Sequence, residues 1–238
     1  DNIIPHEARI GDQQLTQYFL APIDGCISMS EEVLKDLKTI APQKPATFAA
    51  HPMYDNYGAA LTKTAAVQRL QLDPNGKYLL FFGFIRQYKG LDILLEAMAD
   101  PRIKAANIKL IVAGEYYGDP KPYEEQIARL GIQDQLCMFT DFIPNDDVKI
   151  YFSASDCVVQ PYRTATQSGI SQVAYHFDKP MIVTNVGGLP EIVPNGKVGY
   201  VTPVDSQAIA DAIIQFYQQD PNVFKQGIAN EKHKYTWD

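Results

Sequence analysis

Paired cysteines are missing from this chain. Its three cysteines, Cys26, Cys137 and Cys157, are widely spaced and form no CxxC pair. That argues against a disulfide framework or a cysteine-based zinc site, fits a reducing compartment, and leaves all three to be read as small buried apolar residues. Long hydrophobic runs are missing too: no apolar stretch reaches the length a bilayer requires, and no signal-peptide pattern is found. With no transmembrane segment, the expected location is cytoplasmic, and any attachment to the inner face of the membrane would be peripheral. Positive charge is not in excess, because 21 basic against 28 acidic side chains leave a formal net charge of −7. No general attraction to nucleic acid is expected from such a balance. No GxGxxG follows any predicted strand, which disfavours an NAD-binding domain.

What is present is enough for one sizeable core, or one core and part of another: 238 residues, 46% of them hydrophobic. Short apolar runs alternate with stretches of helical period, the pattern of βαβ units and a mostly parallel sheet. The expected fold class is α/β, a Rossmann-like parallel sheet flanked by helices, with part of a second α/β domain. Strands are expected at 78–82, 108–113, 135–139, 157–160 and 181–184. Leu91, Leu94, Leu95 and Met98 recur at helical spacing, as do Ile209, Ala212, Ile213 and Phe216 behind an Asp205 cap; these stripes are core. Residues 1–53 form a separate block with a helix at 13–20, a strand at 25–28, a Ser30-capped helix through Leu37 and a strand near 47–50. Residues 54–76 read as an interdomain linker with a short helix, 77–220 as the main domain, and 221–238 as the truncated start of a further helix. Both ends read as cut.

In an open parallel sheet, ligands bind outside the carboxyl ends of the strands, so the loops after each strand are the places to search. The first is Gly83-Phe84-Ile85-Arg86-Gln87-Tyr88-Lys89-Gly90. Gly83 permits close backbone approach and Lys89 stands at a helix N-terminus, an arrangement suited to a phosphate. The same loop also reads as a tight turn carrying a solvated Arg86 and Lys89. The loops at Glu115 and at Phe142-Ile143 offer apolar and aromatic surface for a base, or are ordinary surface loops. The fourth loop, from Pro161 and Tyr162 to Thr166-Gln167-Ser168-Gly169, concentrates hydroxyls and amides before a helix start. Those groups suit sugar hydroxyls or phosphate oxygens, while Ser168 or Thr166 is also expected to serve as a helix N-cap. Glu191, after Gly187-Gly188-Leu189-Pro190, either hydrogen-bonds inward or favours its helix dipole. His6, a lone histidine after proline, is either structural or faces a cleft.

In their order, these loops resemble the C-terminal half of the family 4 glycosyltransferases. The matching pieces are Phe81-Phe82-Gly83, Lys89-Gly90-Leu91-Asp92-Ile93-Leu94-Leu95-Glu96-Ala97, Val112-Ala113-Gly114, Asp178-Lys179-Pro180 and Thr184-Asn185-Val186-Gly187-Gly188-Leu189-Pro190-Glu191-Ile192-Val193. They cover about residues 77–217, and as an ordered set they are specific. The block up to Asp55 is similar to the end of that family's N-terminal domain, with less distinctive motifs.

The resemblance implies a two-domain GT-B enzyme that moves a sugar from a nucleoside diphosphate sugar to an acceptor hydroxyl, on a glycan or a lipid-linked acceptor. It implies retention of anomeric configuration and no metal or other cofactor. Lys89 would neutralise the leaving diphosphate, with Arg86 and His6 as further catalytic candidates. Gly83, Phe84, Glu115, Phe142, Ile143, Tyr162, Thr166, Gln167, Ser168, Gly169, Gln172 and Glu191 would line the donor site. The family's arginine after the first-loop glycine falls here on Phe84, and its paired glutamates fall on Ala165 and Val173. Neither replacement hydrogen-bonds through its side chain, so Gln167 or Gln172 would have to hold the donor ribose. Two alternatives remain: a non-catalytic domain that binds nucleotide sugar, and a nucleotide-sugar epimerase on the same scaffold. The chain alone is expected to bind donor weakly and turn nothing over.

Overall fold

The computed structural model describes residue 3 and residues 11–236; His6 lies outside them. A small N-terminal unit comprises α1 (Asp12–Leu20), β1 (Cys26–Ser28), α2 (Glu31–Ile40) and β2 (Ala46–Phe48). Its two strands pair in parallel. Ser30 caps α2, its Oγ accepting from the Val33 N–H at 3.1 Å, as its sequence position requires. The chain continues through α3 (Lys63–Arg69), β3 (Lys77–Phe82), α4 (Leu91–Met98), α5 (Pro101–Ala105), β4 (Ile108–Ala113), α6 (Lys121–Leu130) and β5 (Leu136–Phe139). It then forms α7 (Asn145–Ala154), β6 (Cys157–Gln160), α8 (Gly169–His176), β7 (Met181–Thr184), α9 (Leu189–Ile192), β8 (Gly199–Thr202), α10 (Ser206–Gln218) and α11 (Pro221–Lys232).

Six parallel strands stand in the order β5-β4-β3-β6-β7-β8. Both faces are covered, which is why the strands read as unbroken apolar runs rather than alternating ones. Side chains nevertheless alternate between faces. Leu79 and Phe81 pack with Leu94 and Leu95 of α4 and Ile209 and Ile213 of α10. Tyr78 and Leu80 pack on the other face with Phe152 of α7 and Val173 to Tyr175 of α8. Each such buried side chain contributes roughly 1.5–3 kcal/mol of transfer free energy.

The chain winds outward from β3 through β4 to β5, then crosses back to β6 and winds the other way. The order of the sheet therefore reverses between β3 and β6, and a crevice opens there at the strands' carboxyl ends.

The structure adds to the sequence reading at four points. The sixth strand, β8, was not foreseen. Residues 54–76 do contain a short helix, α3, but Ala66 and Val67 are fully buried in the main core and the Leu61 N–H donates to Ser153 Oγ at 3.0 Å. Beyond residue 220, α11 is a twelve-residue helix with Phe224 and Ile228 buried, and a 3₁₀ turn then returns Tyr235 to the core. Only Cys157 of the three cysteines is buried; Cys26 and Cys137 are partly exposed, because each stands on a short strand near a sheet edge.

Candidate active site

At the switch point the loops leaving β3 and β6 are locked together by backbone. Gly90 adopts φ +68°, and a Cβ there would lie 2.0 Å from the Pro161 carbonyl oxygen. Only glycine permits that contact. The Arg163 N–H donates to the Tyr88 carbonyl at 2.7 Å. The Arg163 guanidinium grips both carboxylate oxygens of Asp92, at 2.8 and 2.6 Å. A bidentate pair of this kind fixes orientation as well as distance. Neither Arg163 nor Asp92 was singled out from sequence, although Arg163 stands in a loop that was and Asp92 in the first turn of the helix after another.

The clamp places Lys89 against the loop after β6. Its ammonium lies 5.8 Å from the centre of the Tyr162 ring, and 3.0 Å from where a side chain on Gly83 would begin. Burial, and then the charge of Arg86, lowers the Lys89 pKa to about 8. The protein thus holds a cation at the cost of desolvating it, without a salt-bridging carboxylate among the described residues to compensate. Tyr162 is itself buried, which raises its phenol well above the usual value, and its hydroxyl reaches Ser168 Oγ at 3.4 Å.

A cleft of about 250 Å³ opens between these loops, lined by Lys89, Tyr162, Thr166, Gln167, Ser168 and Gly169 among others. Ser168 occupies the N-cap position of α8, yet its side chain makes no capping hydrogen bond. The expected N-cap role of Ser168 is therefore not found, because Ser168 Oγ is turned towards Tyr162. The leading N–H groups of α8 keep their hydrogen-bonding capacity and their share of the helix dipole at the cleft. Gln167 Oε1 is buried without a partner among the described residues, as are both amide atoms of Gln172. A cation, helix N–H groups, a hydroxyl and an unsatisfied amide together suit a ligand bearing phosphate oxygens and hydroxyls.

Other sequence candidates stand elsewhere. Arg86 is stacked on the Tyr117 ring, 3.7 Å from its centre, beside a neighbouring cavity of about 560 Å³. The Glu115 carbonyl accepts from the Ile85 N–H at 2.8 Å, so its backbone joins the loops after β3 and β4. Phe84 and Phe142 are exposed, and Ile143 packs partly against the core. Glu191 is engaged with α2, accepting from the backbone N–H groups of Glu31 and Glu32 at 3.1 and 3.2 Å. Ala165, before α8, and Val173, within it, are both buried in the main core.

Residues 62–233 match the family model described as glycosyl transferases group 1. The chain belongs to that family. It is 27% identical over 243 residues to a D-inositol 3-phosphate glycosyltransferase of Streptomyces bingchenggensis, covering 96% of this chain and 52% of that protein. A protein of the same name from Segniliparus rotundus is 34% identical over 149 residues, 61% of this chain and 32% of that one. This group 1 glycosyl transferase chain thus spans about half the length of the first of these relatives. Among solved structures, Anabaena Alr3699/HepE in complex with UDP-glucose is similar with a TM-score of 0.80 and 20% identity, covering 99% of this chain and 66% of that one. Sucrose-phosphate synthase from Thermosynechococcus elongatus is similar with a TM-score of 0.79 and 19% identity, covering 97% and 59%. The fold is that of the GT-B glycosyltransferases. The family match also takes in α3 and nearly all of the segment from α11 to Tyr235, the parts of the main body that sequence patterning had set apart. No helix among the described residues is long and apolar enough to cross a membrane.

Proposed function

We propose that this chain carries the donor-binding part of a retaining glycosyltransferase, which moves a sugar from a nucleoside diphosphate sugar to an acceptor hydroxyl. The observation that carries the reading is the convergence of the Lys89 ammonium and the uncapped N-terminus of α8 on one cleft at the switch point. Departure of a diphosphate concentrates negative charge on its oxygens. Fixed cations and N–H groups that meet this charge as it develops lower the barrier, because they are aligned before the bond breaks. Lys89 and the α8 backbone would do so without a metal ion.

The transferred sugar would pass through an oxocarbenium-like state while the acceptor hydroxyl approaches on the leaving-group side, which keeps the anomeric configuration. The bound UDP-glucose of the Anabaena structure supports a nucleotide sugar as the donor. The name of the first relative, a D-inositol 3-phosphate glycosyltransferase, supports a small hydroxylated acceptor; a glycan or lipid-linked acceptor rests on the family resemblance alone. A second reading, a domain that binds nucleotide sugar without turnover, draws on Ala165 and Val173, whose apolar side chains supply no acceptor.

Isothermal titration with UDP, GDP and ADP, with and without magnesium, tests the site. Saturable binding that ignores magnesium and is lost in Lys89→Ala is expected. Magnesium-dependent binding, or binding that survives the substitution, would remove Lys89 from the reading. Transfer to a sugar acceptor by an enzyme that carries both GT-B domains, followed by NMR of the new anomeric centre, separates the two readings: a product of unchanged configuration supports the first, and nucleotide binding without turnover in that two-domain enzyme the second.

A further inference from the structure

Resting on the donor-site reading, we propose that Tyr54, oriented by His51, is a further donor-binding residue that accepts a hydrogen bond from a ligand hydroxyl. Both residues belong to the segment after β2, which carries no recognisable motif. His51 Nδ1 lies 2.6 Å from the Pro52 carbonyl oxygen. A carbonyl only accepts, so Nδ1 carries the proton, and in the neutral ring Nε2 is left as an acceptor. The Tyr54 hydroxyl lies 3.3 Å from Nε2 and donates to it. Its proton is thereby committed, and the phenol oxygen turns outward as an acceptor. The edge-to-face contact of the two rings, with centroids 5.1 Å apart, holds this arrangement.

The oxygen is delivered to the lip of the cleft. Gly169, which lines the cleft, has no side chain, and a Cβ there would stand 3.1 Å from Tyr54 Cε2 and 3.5 Å from its hydroxyl oxygen. The missing side chain lets the phenol lie against the first turn of α8. One turn further on, Val173 is on the same face of the helix and is apolar, so it provides no acceptor there.

The complementarity is chemical. Lys89 and the α8 N–H groups are donors and grip phosphate oxygens, but they give nothing to a hydroxyl proton. A nucleoside diphosphate sugar carries such protons on its ribose and on its sugar. Beside the Gln167 amide oxygen and the Thr166 and Ser168 hydroxyls that line the cleft, Tyr54 adds a side-chain acceptor whose proton is already committed, at the first turn of α8.

The test titrates the full chain with UDP, GDP and ADP, with the 2′-deoxy and 3′-deoxy forms of whichever binds, and with the matching nucleotide sugar. Wild type, Tyr54→Phe, His51→Gln and Lys89→Ala are compared, with thermal melts to confirm folding. Tyr54→Phe is expected to weaken binding about ten-fold, the size of one lost hydrogen bond, and His51→Gln to weaken it less. If the loss disappears with a deoxynucleotide, the ribose is the partner; if it is confined to the nucleotide sugar, the transferred sugar is. Wild-type affinity of Tyr54→Phe for every ligand, with binding still lost in Lys89→Ala, overturns the Tyr54 assignment alone. No binding by wild type overturns the donor-site reading along with it.

Discussion

Glu191, at the start of α9, caps a helix that is not its own: its two carboxylate oxygens take the backbone N–H groups of Glu31 and Glu32 at the N-terminus of α2. The contact joins the small N-terminal unit to the main body. A carboxylate there also meets the positive end of the α2 dipole.

Glu191→Ala is accordingly expected to lower stability by about 0.5–1 kcal/mol, the low range for a lost cap because Ser30 still caps the same helix. Nucleotide affinity should stay near wild type. A thermal melt and a UDP titration check the two halves; unchanged stability with weakened affinity would return Glu191 to the donor site.

Lys89 makes binding depend on pH. Its pKa of about 8, lowered by burial and then by Arg86, means that the free site carries its cation below that pH and loses it above. A diphosphate restores the proton, so binding above pH 8 should take up a proton and weaken up to about ten-fold per pH unit. Calorimetry in two buffers of different ionisation heat measures the uptake, and Lys89→Met should abolish it. The stability sign follows from the same shift. Between about pH 8 and the ordinary lysine range the unfolded chain binds more protons, so the unliganded protein gains stability from this residue as pH rises through that window.

Asp92 and Arg163 hold the two loops in register while half exposed. Asp92→Asn or Arg163→Ala should therefore cost only about 0.5–1 kcal/mol of stability, yet weaken nucleotide binding several-fold by releasing the loop that presents the cleft residues. A double-mutant cycle on binding is expected to show coupling on the order of 1 kcal/mol. Additive losses would mean that each residue acts separately.

Gly90→Ala is the severest substitution expected. Its Cβ would meet the Pro161 carbonyl at a backbone position with φ +68°, so the loops must part. Urea unfolding should show a loss of roughly 1–3 kcal/mol, with nucleotide binding lost as well.

Much of the fold was legible because a parallel sheet buried on both faces imposes continuous apolar runs, as at Leu79 to Phe82 and Ile108 to Ala113. The strand Gly199–Thr202 was not, because glycine opens it and Pro203 follows it, giving it the look of a turn. Structure explains the glycine: a Cβ at residue 199 would strike the Met181 carbonyl at 1.7 Å. In the site, Lys89 and the residues from Tyr162 to Gly169 were found because they stand directly after strands. The partners of Arg86 and Glu191 were not, since Tyr117 and the α2 N-terminus are distant in sequence. Tyr54 was hidden for a related reason: a segment read as a spacer gives no cue that it lies along a helix more than a hundred residues away.

The pairing of β3 with β6 bears on how the site comes into being. Residues 77–82 and 157–160 meet only after the intervening βα units have found their places, so the cleft has no local precursor in the chain. Pairings of such long sequence separation form slowly. If the β3–β6 seam closes after the folding barrier, a bound nucleotide would act chiefly on the rate of unfolding. On that account it would prolong the lifetime of the whole sheet, and occupancy would be readable from resistance to proteolysis far from the cleft.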